Sequence, residues 1–150
     1  MELKFKVMAH VGRPVHQVFE AVADPAQLSR YFTTGGAKGR LESGAMVTWD
    51  FHDFPGAFPV EVVEAVPDER IVLRWKANDP DGEPYSTTVT IAFAPVGEGR
   101  TRVEIAEEGW RETPAGLAAS YGNCMGWSQM LCALKVWLEH GINLREGMYV

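Results

Sequence analysis

The stretch that decides the fold is the last third of the chain, Thr113-Pro114 followed by residues 115–141, AGLAASYGNCMGWSQMLCALKVWLEHG. No proline follows Pro114 in this run. Thr113 suits a helix N-cap, Pro114 the first turn, where a missing N–H costs nothing, and Gly141 the stop. Leu117, Tyr121, Cys124, Trp127 or Ser128, Leu131, Leu134 and Leu138 recur at helical spacing and predict one apolar stripe. Gly122 and Gly126 each cost roughly 1 kcal/mol against Ala inside a helix. A break, a kink, a close approach to the backbone or a packing accommodation is expected there.

Everything upstream reads as sheet, apart from one short helical passage. Leu3, Phe5, Val7, Ala9 and Val11 alternate and predict a half-buried first strand. Pro14 opens a helix carrying Val15, Val18, Phe19 and Val22. Asp24-Pro25 ends it and starts a second short helix with Leu28, Tyr31 and Phe32 facing in. A short edge strand is placed near 37–41. Five strands follow at 45–52, 58–65, 70–75, 85–94 and 101–108, separated by DFPGA, VPDE, NDPDGE and VGEG. Connectors this short imply antiparallel neighbours. Alternation puts Trp49, Phe51, Phe58, Val60, Val62, Ile71, Leu73, Trp75, Val89, Ile91, Phe93, Val103, Ile105 and Glu107 on one face. It puts Thr48, Asp50, Arg70, Arg74, Lys76, Thr88, Thr90, Arg102 and Glu104 on the other. The sum is an α+β fold, a curved antiparallel sheet of about seven strands around one long C-terminal helix, residues 1–150 as a single domain.

Composition narrows the function. The 150 residues carry a net charge of -6 with no basic run, which argues against a nucleic-acid footprint. The start of the chain alternates and is neither a signal nor a transit peptide. No apolar stretch approaches the roughly 18 residues of a membrane span. Cys124 and Cys132 lie roughly 12 Å apart along the helix, beyond the reach of a disulfide at about 7 Å. Read as buried free thiols, they point to a reducing, cytoplasmic setting.

Four phrases carry a resemblance. They are VGRPVHQVFEAVADPAQLSRYF (11–32), VEVVEAVPDERIVLRW (60–75), GEGRTRVEIAEEGW (97–110) and GWSQMLCALKVWLEHG (126–141). Their order resembles the START-like (SRPBCC) helix-grip superfamily, whose members include Bet v 1-like plant allergens, steroid-transfer domains and polyketide cyclases. The last three resemble the branch of homologues of the activator of the heat-shock protein 90 ATPase. The match spans nearly the whole chain. Two positions depart from the family pattern. Tyr31 stands where a Trp is usual, and Glu107 or Glu108 where a His precedes the glycine-tryptophan pair. A function resting on that His has no counterpart here.

The resemblance implies a helix-grip fold that tends to enclose a pocket, and the superfamily hosts several functions on one scaffold. Candidate cavity-lining residues are Trp49, Phe51, Phe58, Leu73, Trp75, Tyr85, Ile91, Glu107, Tyr121, Cys124, Trp127 and Leu131. Large rings with one polar edge suit an apolar ligand. Glu107 is the candidate polar anchor if its strand persists, and a rim carboxylate if the strand has ended. The His52-Asp53 pair reads as an exposed loop tip without a nucleophile. The histidines show no zinc spacing, so no metal and no cofactor is expected. The leading expectation is a binder of a small apolar or aromatic molecule or lipid. Contact with a chaperone ATPase, or cyclase-like catalysis by polar groups meeting in the pocket, is the alternative. The edge strand near 37–41 leaves a homodimer open.

Overall fold

The computed structural model describes residues 1–52 and 54–149. Strands β1 (Lys4–Val11), β2 (Gly36–Lys38), β3 (Met46–Phe51), β4 (Phe54–Val66), β5 (Arg70–Lys76), β6 (Ser86–Pro95) and β7 (Thr101–Glu108) form one antiparallel sheet in the order β1-β7-β6-β5-β4-β3-β2. Helices α1 (Val15–Ala23) and α2 (Pro25–Leu28) follow β1, and α3 (Pro114–His140) follows β7. This is the expected helix-grip architecture, a curved sheet around a long C-terminal helix. The chain runs β2 to β7 as a meander, and β1 closes the far side against β7.

Local chemistry sets the helix ends. Asp24 Oδ1 accepts from Ala26 N at 2.9 Å and caps α2, while the Asp24 N–H closes α1 on Glu20 O at 2.9 Å. Thr113 Oγ1 accepts from Gly116 N at 3.0 Å, and Gly141 (φ 69°) ends α3 with its N–H on Trp137 O. Pro14 stands at the N-cap of α1 in extended conformation, one position before the first turn. The far end of α3 is tied to the β1–α1 turn. Glu139 Oε2 accepts from Gly12 N at 2.8 Å and from Lys135 Nζ at 2.6 Å. The Lys135 ammonium and then the Gly12 N–H hold the Glu139 carboxyl below its ordinary range.

The core lies between the sheet's concave face and the helices. Val60, Val62, Ile71, Leu73, Val89, Ile91, Val103 and Ile105 are all fully buried, as alternation requires. Phe19 of α1 meets Phe93 of β6 edge to face at 5.3 Å. The alternation is interrupted in β4 where it pairs with β5. Val62 pairs with Leu73 and Glu64 with Val72, so Val63 is extra and stands 47% exposed. The bulge returns Ala65 to the inner face opposite Ile71. Ser43 Oγ accepts from Ala65 N at 2.8 Å beside it. β4 also starts earlier than expected, so most of DFPGA is strand rather than separator. Asp53, one half of the His52-Asp53 pair, lies outside the described residues; His52 is exposed.

Helix α3 departs from the expected stripe over its first half. Gly116, Ser120, Trp127, Met130, Leu131, Ala133 and Leu134 are buried, whereas Leu117 is exposed and Tyr121 is 68% exposed. The reason is the tight entry into the helix. A Cβ on Gly116 would stand 1.9 Å from the Arg111 carbonyl oxygen, so only the smallest residues fit on the inner side and the large ones turn out. Cys124 is half-buried and Cys132 exposed, correcting the expectation of two buried thiols. Gly122 and Gly126 neither break the helix nor admit a close neighbour. α3 runs unbroken through both, and a Cβ at either would meet nothing within 4 Å.

The glycines therefore separate into two kinds. Gly122→Ala and Gly126→Ala are each expected to raise the unfolding free energy by about 1 kcal/mol, because helix propensity acts alone there. Gly116→Ala is expected to lower it by about 2 kcal/mol or more through the clash with Arg111. Urea unfolding of the three variants checks both signs.

Candidate functional site

Residues Val103, Ile105 and Glu107 alternate inward along β7, and the strand persists to Glu108. Glu107 is accordingly not at the rim but 1% exposed. Its sheet neighbours on either side are Phe5 of β1 and Val89 of β6, so the surroundings are apolar. Four neutral side chains meet the carboxylate. Oε2 accepts from Trp75 Nε1 at 3.0 Å, Thr87 Oγ1 at 2.6 Å and Asn123 Nδ2 at 2.9 Å. Oε1 accepts from Trp127 Nε1 at 2.9 Å and Asn123 Nδ2 at 3.1 Å.

Each donor arrives by simple geometry. Trp75 and Thr87 are paired residues on the inner face of β5 and β6. Asn123 and Trp127 lie four apart on α3 and so share a face. The carboxylate thus joins β5, β6, β7 and α3. An indole N–H can only donate, and a carboxylate offers about four lone-pair sites, so both oxygens are fully used. Glu107 anchors the helix to the sheet, and its oxygens are already taken by the protein.

The two indoles continue into a ring cluster. Trp75 and Trp127 lie 5.5 Å apart, and Trp49 meets them at 5.8 Å and 6.5 Å. Phe32 contacts Trp49, Trp127 and Phe51 at 5.7, 5.3 and 5.0 Å. Phe58 closes the circuit against Phe51 at 5.8 Å and Trp75 at 5.9 Å. These six rings occupy the middle of the space between the sheet and the first half of α3. Phe51, Phe58 and Trp75 are half-buried, so the cluster reaches the surface on that side. Trp49 is 1% exposed, and its indole N–H has no acceptor among the described residues.

The structure brings Trp49, Phe51, Phe58, Trp75, Glu107 and Trp127 of the expected set together. Leu73, Ile91 and Leu131 lie in the core, and Cys124 is half-buried on α3. Tyr121 points to solvent. Tyr85 belongs to a separate polar knot, where its hydroxyl donates to Asp79 Oδ2 at 2.8 Å and accepts from Arg111 N at 3.1 Å. The Arg111 guanidinium lies 4.2 Å above its ring, and burial raises the phenol's pKa. Three contributors were not among the candidates: Thr87, Asn123 and Phe32, the last read only as an inward-facing helix residue. Thr87 shares the parity of Val89 and Ile91 and was legible on that ground. Asn123 was not, because the large apolar residues of α3 marked the wrong face.

At the outer end of the cluster, the Arg145 guanidinium lies 5.6 Å from the Phe32 ring and 5.2 Å from that of Phe51. Next to it is a groove of about 400 Å³ lined by Thr34, His52, Asn143, Arg145, Glu146 and Tyr149, among others. A second groove, of about 470 Å³, lies beside β1 around Lys4, Lys6, Thr88 and Thr90. Among the described residues no group of three or more His, Cys, Asp or Glu is arranged to hold a metal ion.

Glu107→Gln tests the clamp. Whichever way the amide turns, its NH2 faces an indole N–H, so the variant is expected to lose about 2–3 kcal/mol of stability in urea unfolding. A loss under about 0.5 kcal/mol would show that the carboxylate is not what holds α3 to the sheet.

The fold has many relatives among solved structures. A protein of Staphylococcus saprophyticus is 24% identical with a TM-score of 0.75, over 94% of this chain and 96% of that one. DynU16, from the dynemicin biosynthetic locus, is 26% identical with a TM-score of 0.77, over 94% of this chain and 49% of its own. The Aha1 dimer of Colwellia psychrerythraea, solved in solution, is 20% identical with a TM-score of 0.73, over 92% and 97%. No curated protein matches the chain. The family model for activator of Hsp90 ATPase homolog 1-like proteins matches residues 13–139. By that match, which spans most of its length, the chain belongs to the family of activator of Hsp90 ATPase homolog 1-like proteins.

Proposed function

We propose that the protein holds a small apolar or aromatic molecule against the ring cluster between the sheet and α3. The observation that carries this reading is the buried indole N–H of Trp49, which meets no acceptor among the described residues. An unpaired buried donor costs about 1–3 kcal/mol, and a ligand oxygen or nitrogen would remove that cost. Supporting it, Phe51, Phe58 and Trp75 are half-buried, so the ring cluster is reachable from the surface. The likeness to DynU16, a protein of a biosynthetic locus, favours a small molecule as partner. Because Glu107 is saturated, ring faces and Trp49 supply the recognition, and a catalytic role for Glu107 is disfavoured.

Calorimetric titration with naphthalene and 2-naphthylmethanol tests this. Saturable binding of both is expected, and Trp49→Phe should weaken the alcohol about fivefold while leaving naphthalene unchanged. No saturable binding of either probe sinks the reading.

A second copy of the chain is a further partner that one surface favours. From Thr113 to Leu134 there is no charged residue, and Leu117, Tyr121 and Met125 stand exposed one turn apart on α3. The Colwellia relative is described as a dimer. Sedimentation velocity is expected to show a dimer that Tyr121→Asp converts to monomer; a monomer for the unaltered protein at high concentration removes this reading.

A further inference from the structure

The six rings of the cluster carry few polar atoms, and those few set the polarity a guest must have. We infer that the ligand is a neutral, planar aromatic carbonyl compound, a hydrogen-bond acceptor with no donor of its own, whose oxygen takes the Trp49 N–H. This rests on the ligand reading above and names its class.

Phe32, Phe51 and Phe58 have no polar side-chain atom, so the polar atoms of the rings are the indole N–H groups of Trp49, Trp75 and Trp127. An indole N–H donates and never accepts. Two of these are spent on Glu107, Trp75 Nε1 at 3.0 Å and Trp127 Nε1 at 2.9 Å. Trp49 Nε1 remains, on a residue 1% exposed, with no acceptor among the described residues. The carboxylate beside the rings accepts from four side chains and has no lone pair left. The Tyr31 hydroxyl, buried close by in the chain, is committed to Ala21 O at 2.9 Å. The rings and their carboxylate therefore offer a guest one buried donor and no acceptor. Thr33 Oγ1, next along the chain from Phe32, is buried and also without a partner among the described residues. A hydroxyl can donate to a guest oxygen as well as accept, so it does not oppose a carbonyl.

A guest O–H or N–H carried to the depth of Trp49 would leave its water partner and find no acceptor among the rings, which penalises it. A carboxylate would need several donors to replace its hydration, and Trp49 supplies one, so a charged end is penalised too. A carbonyl oxygen brings lone pairs only and answers the one unmet donor. Conjugation to an aromatic body keeps that oxygen in the plane of the rings. The flat body suits the cluster, because Phe51, Phe58 and Trp75 are half-buried at its outer side. Trp49 lies behind them, 5.8 Å from Trp75 and 5.7 Å from Phe32. A planar guest on the outer rings thus presents its leading edge, and the oxygen on it, to the Trp49 indole.

The probes are 2-acetylnaphthalene and 1-(2-naphthyl)ethanol, which share a skeleton and differ only in ketone against alcohol. Titrated calorimetrically against the whole protein, the ketone is expected to bind about tenfold tighter, beyond any difference in octanol–water partition. Trp49→Phe should weaken the ketone about fivefold. An isotope-edited infrared difference spectrum reads the bond itself. The carbonyl band of the bound ketone is expected below its position in hexane, and Trp49→Phe should return it toward that position. A purely structural Trp49 would alter affinity without moving the band. Equal affinities, a tighter alcohol, or a band that Trp49→Phe leaves in place overturn the carbonyl assignment and leave the ligand reading standing. If neither probe binds while naphthalene does, the assignment again falls alone; if none of the three binds, both readings fall. Should Trp49→Phe fail to fold, the unaltered protein decides, and a carbonyl band at the hexane position overturns the assignment.

Discussion

The buried carboxylate of Glu107 is the constraint on which the rest of the structure depends. A charge-bearing group in an apolar interior is tolerated only when its hydrogen-bonding capacity is met. Here the donors come from β5, β6 and α3, and every one is neutral. Among the described residues no cation pairs with it, so there the carboxylate is held by neutral donors alone. It fixes the rotation of α3, because Asn123 and Trp127 reach it only when that face turns inward. It also fixes the tilt of two indole rings, and through them the packing of Trp49, Phe32, Phe51 and Phe58.

This explains a feature of α3 that apolar content alone does not. The helix buries Gly116 and Ser120 while exposing Leu117, Tyr121 and Met125. A helix free to choose by hydrophobicity would turn the other way. Two constraints override it: the contact of Gly116 with the Arg111 carbonyl at the start, and the Glu107 clamp in the middle. The Glu139 carboxylate repeats the device at the far end, holding Gly12 N from a helix residue. Polar contacts set the orientation, and apolar burial fills in around them.

The sheet was legible in the sequence because a period of two leaves little freedom. Once Val103 and Ile105 are inward, Glu107 must follow, and the strand continues far enough to make it so. The cap residues Thr113, Pro114 and Gly141 were legible for the same local reason. What was not legible depended on contacts distant in sequence. The extra residue Val63 looks like any other β-branched strand residue, and nothing near it marks a bulge. Leu117 and Tyr121 read as core because their spacing is right; the close contact of Gly116 with the Arg111 carbonyl and the Glu107 clamp turn the other face inward. Asn123 lies between the residues of the expected stripe, and its partner is 16 residues away. Of the aromatic candidates, Trp49, Phe51, Phe58, Trp75 and Trp127 meet, while Tyr85 and Tyr121 lie elsewhere, and the contacts among the five follow from the clamp.

The clamp also bears on the proposed ligand site. A saturated carboxylate has no lone pair left for a guest, so the residue that looked most suited to anchoring a ligand serves the scaffold instead. In the ligand reading proposed above, polar recognition then falls to other groups. The Trp49 indole N–H is one, buried and unanswered where its two neighbouring indoles are answered by Glu107. The contrast is informative because the three tryptophans touch. Had the fold needed only stability, a phenylalanine at position 49 would have filled similar space without an unmet donor. At the other end, Arg145 lies over ring faces whose negative potential favours a cation. The aromatic cluster thus runs from a carboxylate with no capacity left to a guanidinium stacked on its outer rings.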